Sequence, residues 1–92
     1  MIYYVKFKTS DGYKVDQFNS KRELVKHLKS YVVANNIVFY DSLERSIWKK
    51  ILINDYHNIN IRQYNKVFEN NNKMDYKVYR SFNDLKQDLV IK

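Results

Sequence analysis

The sequence predicts an α+β fold: a small two-layer domain in which an antiparallel sheet of two hairpins, in the order ββα-α-ββα, packs on about three helices. Three observations carry that expectation. Residues 2–8 and 13–18 alternate apolar with polar side chains at the period of a half-buried strand. Ser20/Glu23, Asp41/Glu44 and Ser81/Asp84 each have the spacing of a helix start, and each precedes apolar residues at helical intervals. The 92 residues hold one Gly, no Pro and no Gly/Ser-rich stretch, so residues 1–92 read as one domain without a linker.

In the first strand Tyr3, Val5 and Phe7 share one face, and Tyr4, Lys6 and Lys8 the other. A three-residue loop, Ser10-Asp11-Gly12, would pair Phe7 with Val15 and Thr9 with Tyr13, keeping the apolar residues together and Gly12 at the left-handed position. A first helix opens at Ser20 and carries Leu24, Val25, Leu28, Tyr31 and Val32 as one stripe; Asn35 or Asn36 is its expected stop. Ile37 to Tyr40 reads as either a short buried strand or a connection. A second helix over 42–53 carries Leu43, Ile47, Trp48, Ile51 and Leu52. Residues 59–68 read as a strand, 69–74 as a polar turn and 75–80 as another strand. Ser81 opens a last helix with Phe82, Leu85 and Leu89. The two strand-then-helix segments, Tyr13 to Leu28 and Tyr76 to Leu89, resemble each other; a duplication and the shared needs of any strand-to-helix joint both account for that.

Enzyme chemistry finds little to use. Without Cys there is no thiolate, and one Gly cannot build a phosphate-cradling loop. His27 lies at the edge of an apolar stripe without a catalytic neighbour at helical spacing. Asp55 and His57 are too few for a zinc site. Asp41 and Glu44 are accounted for by capping, and Ser30, Ser42 and Ser46 have no base beside them in sequence. The expectation is a non-enzymatic protein with no catalytic residues, cofactor or metal.

Charge points elsewhere. The net charge is +7, spread over both halves, which favours an anionic partner. Arg22, Lys26 and Lys29 form a ridge on the first helix; Arg45 and Lys49, with Lys50 nearby, form another on the second. On the sheet, Tyr4 alternates with Lys6 and Tyr64 with Arg62, the interleaving by which open sheets hold single strands. These ten residues are the candidate binding site. Two partners fit: nucleic acid or a nucleoprotein touched directly, or a host protein to which a small inhibitor docks. Lys, Asn, Ile and Tyr supply 41 of the 92 residues. All have AT-rich codons, a style common in phages and mobile elements, so an anti-CRISPR or other host-takeover factor is the second class. No stretch reads as a signal peptide or a membrane span, so the expected location is the cytoplasm, that of the host for a phage-encoded chain. A homodimer is left open.

Overall fold

In the computed structural model, which describes residues 2–68 and 74–90, the elements run β1 (Tyr3–Thr9), β2 (Gly12–Phe18), α1 (Lys21–Ala34), α2 (Ser42–Leu52), a 3-10 turn (Tyr56–Asn58), α3 (Ile61–Phe68), β3 (Tyr76–Tyr79) and α4 (Phe82–Val90). The three strands form one antiparallel sheet in the order β2-β1-β3. This is the α+β class that the alternation and the caps predict.

Caps set where the helices start. Ser20 Oγ accepts the Glu23 N–H at 3.2 Å, while Glu23 Oε2 accepts the Asn19 N–H. Asp41 Oδ1 accepts the N–H groups of Leu43 and Glu44, and Ser81 Oγ accepts that of Asp84. The ends of α1 and α2 repeat one device. Asn36 and Asn54 adopt positive φ, 52° and 60°, and the next N–H reaches back, Ile37 to Val32 O and Asp55 to Lys50 O. Ile37 to Tyr40 is a connection whose alternate residues, Ile37 and Phe39, are buried.

Two expectations fail. Residues 59–68 are no strand: Asn60 Oδ1 accepts the Arg62 and Gln63 N–H groups and starts α3 at Ile61. Helical spacing then buries Ile61 and Tyr64 together, which two-residue alternation cannot do. Among the described residues there is therefore no second hairpin; β3 pairs with β1, Tyr4 opposite Tyr79 and Phe7 opposite Tyr76, and the described element before it is a helix, so the expected ββα order does not recur. Of the expected turn at 69–74, residues 69–73 lie outside the described residues and Met74 is buried.

The hairpin register also differs. The loop has two residues, Ser10 and Asp11, and Thr9 faces Gly12. Thr9 Oγ1 accepts the Asp11 N–H and donates to Gly12 O at 2.9 Å, which closes the shorter turn; Gly12 takes φ 109° as expected of it. Phe7 thus faces Lys14, and a one-residue slip turns every β2 side chain over. Tyr13 and Val15 join Tyr4, Lys6 and Lys8 on the outer face, while Lys14 and Asp16 take the inner one.

The main core lies under the inner face, where Tyr3, Val5, Phe7, Tyr76 and Val78 meet Leu24, Val25 and Leu28 of α1, Ile47 and Ile51 of α2, and Ile61 and Tyr64 of α3. α4 crosses to the outer face. Its Phe82 ring packs on Tyr4 with centroids 5.7 Å apart, and its Asp88 accepts from the Tyr79 hydroxyl. Of its expected apolar residues only Leu85 is buried; Phe82 and Leu89 stay exposed.

Candidate binding surfaces

The candidate residues fall into three groups that the fold treats differently. On the outer sheet face the aromatic and basic side chains engage one another. Lys6 is 8% exposed, with its Nζ 4.7 Å from the centre of the Tyr13 ring. The Tyr13 hydroxyl donates to Asp75 Oδ2 at 2.7 Å, which pins the ring over Lys6. Tyr4 is half-buried beneath Phe82. Lys77, beside Lys6 in the register, lies 3.8 Å from Asp88 and 5.2 Å from the Tyr79 ring centre. Burial, then the bond to Asp88, pushes the Tyr79 phenol well up, so it remains a donor. Tyr4 and Lys6 therefore do not form the open stacking platform expected of them.

Tyr64 and Arg62 are corrected too. Both lie on α3 rather than on a strand. Tyr64 is a core residue, 1% exposed, with its ring 6.5 Å from that of Tyr76, and burial holds its phenol protonated. Arg62 is exposed.

Arg22 and Lys26 are exposed on α1 and Lys29 is half-buried; on α2 Arg45 and Lys49 are exposed. Lys50 is half-buried and its Nζ donates to Asn58 O at 3.3 Å. His27–Asp16 and Lys77–Asp88 are ion pairs among the described residues, and neither involves a ridge cation.

Arg45 and Lys49 border a groove of about 650 Å³ between α2 and the Ile37–Phe39 connection, a size typical of ligand clefts. One turn apart on the helix, they flank Trp48 and Leu52; the connection supplies Val38 and Phe39. Trp48 is half-buried, its ring 5.6 Å from Phe39. Among the described residues no carboxylate lines this groove. A second groove of similar size, along β3 between α3 and α4, includes Arg62 and Arg80 but also Asp84 and Asp88, which oppose an anion. Sequence reasoning put Trp48 in the core with Leu43 and Leu52. The helix buries only Ile47 and Ile51, leaving Leu43 and Leu52 exposed. The adjacency of Trp48 to Lys49, with Arg45 one turn back, was the available signal.

The two histidines do other things. His27 is held between Phe7 and Phe18, each ring centre 4.9 Å away, with Nδ1 2.9 Å from the Tyr76 hydroxyl and Nε2 3.6 Å from Asp16. Burial lowers its pKa and Asp16 partly offsets that. Burial raises the Tyr76 phenol far above the ordinary range, so its hydroxyl beside Nδ1 stays protonated, and a carboxylate beside Nε2 favours the tautomer with its proton on Nε2. His57 is exposed, and Asp55 accepts both bonds from the Asn58 amide, as a loop cap does. Among the described residues no group of three or more His, Asp or Glu could hold a metal, and no helix is long and apolar enough to cross a membrane. Comparison with protein-family models, with curated proteins and with solved structures returns no match.

Proposed function

We propose that the protein is a non-enzymatic binder of nucleic acid that grips a single strand in the α2 groove. The observation behind this is the pairing, in one groove whose described lining holds no carboxylate, of two exposed cations with an accessible indole: Arg45 and Lys49 beside Trp48. Cations one helical turn apart meet successive phosphates, and an indole stacks on any base, so the grip is strong without reading sequence. The ridge of Arg22 and Lys26 adds charge for steering.

Trp48 is the chain's one tryptophan, so its fluorescence reports the groove directly. Single-stranded RNA and DNA oligonucleotides should quench it at low salt, with affinity falling steeply as salt rises. Arg45→Glu with Lys49→Glu should abolish binding, whereas single removals lower the salt slope by about 0.7 per lost phosphate contact. Unchanged fluorescence at low salt, or binding indifferent to salt, would falsify the reading.

A second reading has its own support. Val38, Tyr40, Leu43, Leu52 and Ile53 are exposed on or near the same helix, more apolar surface than phosphate binding uses. Docking on a host protein would use those side chains, survive high salt and fail in Leu43→Ala with Leu52→Ala while Arg45→Ala is tolerated.

A further inference from the structure

The two edges of the sheet are finished differently. In β3 the amide of Asn65, from α3, donates to Val78 O at 2.7 Å and accepts the Val78 N–H at 3.3 Å, closing the ladder there in place of a strand. Among the described residues no side chain bonds the backbone of β2 in this way, and its central residues 13–17 are all exposed. The direction of its backbone follows from the ladder. Lys8 N–H bonds Asp75 O, so the even residues of β1 face β3 and the odd ones face β2. Through the β1–β2 register, Lys14 and Asp16 then face β1, while the N–H and C=O groups of Val15 and Gln17 point out of the sheet.

We propose that this edge joins two copies of the chain, antiparallel about a two-fold axis at Val15, making one continuous six-stranded sheet. The sequence of β2 complements itself in that register alone. With Val15 opposite the partner's Val15, Lys14 faces the partner's Asp16 and Asp16 faces the partner's Lys14, while Tyr13 faces the partner's Gln17. Centring the axis on Lys14 would set lysine against lysine; centring it on Asp16 would set aspartate against aspartate. Opposite charges directly across a ladder stabilise it and like charges do the reverse, so charge selects the register. On the outer face the two Val15 side chains, 43% exposed in the single chain, cover each other. A bare edge of this length with apolar groups is what proteins otherwise guard against, and a second copy is the guard that this strand's own pattern specifies.

Sedimentation equilibrium of the full chain tests this. The expected mass rises with concentration toward twice the 11.3 kDa of one chain. Val15→Pro removes an outward N–H without touching the β1 ladder and should leave a monomer. Lys14→Glu, exposed and safe for folding, should weaken association about tenfold by making both cross-axis pairs repulsive. Lys14→Asp combined with Asp16→Lys exchanges the two charges and should restore it. A mass that stays at one chain at every concentration overturns the proposal, as does a dimer indifferent to Lys14→Glu and to Val15→Pro.

Discussion

The outer face of the sheet and the groove of α2 hold the same residue types and use them in opposite ways. On the sheet, Lys6 lies under Tyr13, Tyr13 is tied to Asp75, and Lys77 lies between Asp88 and Tyr79. In the groove, Arg45 and Lys49 stand beside Trp48 with no carboxylate among the described lining residues. An aromatic residue next to a lysine is therefore not by itself a binding signal. What decides is whether the fold brings a carboxylate and a covering ring to the pair.

That contrast can be broken most severely from beneath the groove. Ile51, 1% exposed, anchors α2 in the core, and Ile51→Ala should cost about 2–5 kcal/mol in chemical unfolding and take oligonucleotide binding with it. Leu52, next in sequence but exposed, separates the two effects. Leu52→Ala should change stability by no more than about 0.5 kcal/mol while weakening binding in the groove. On the sheet the order reverses: Lys6→Ala loses a buried stem and a desolvated cation–π contact, which should cost about 2 kcal/mol, and binding by the folded protein should be unchanged.

Smaller effects sharpen the picture. Asp41→Ala removes the bonds to the Leu43 and Glu44 N–H groups and should destabilise by about 1 kcal/mol, fraying the end of α2 that holds Ser42 and Arg45. His27 gives a pH test remote from the groove. Its folded pKa lies below the ordinary 6.5, so the unfolded chain takes up the proton first as pH falls. The stability held by neutral His27 is complete above 6.5 and declines as pH drops below it. Urea midpoints measured from about pH 7.5 to about pH 5 should fall, and His27→Gln should flatten that part of the profile.

How much of this was legible follows from how local each feature is. Ser20, Asp41 and Ser81 announce their helices because a cap acts within one turn, and the i, i+4 spacing of Arg45 and Lys49 places them on one solvent face. α3 was missed because Ile59 and Ile61 imitate strand alternation, while the cap that starts the helix is a single Asn60 with no acidic residue three positions on. The hairpin register differs from the expectation because a threonine hydroxyl closes the two-residue turn; of the apolar residues so displaced, Tyr13 is taken up by Lys6 and Asp75 and Val15 stays exposed. The engagement of the sheet cations rests on Asp75 and Asp88, far along the chain from Lys6 and Tyr13, and no local pattern contains it.

The most direct test of where the partner sits is amide chemical-shift mapping of the labelled chain during titration with a single-stranded oligonucleotide at low salt. Shifts should concentrate at Val38, Ser42, Arg45, Lys49 and Leu52, with Tyr4, Lys6 and Lys77 unmoved. Shifts centred on the outer sheet face, with α2 silent, would contradict it.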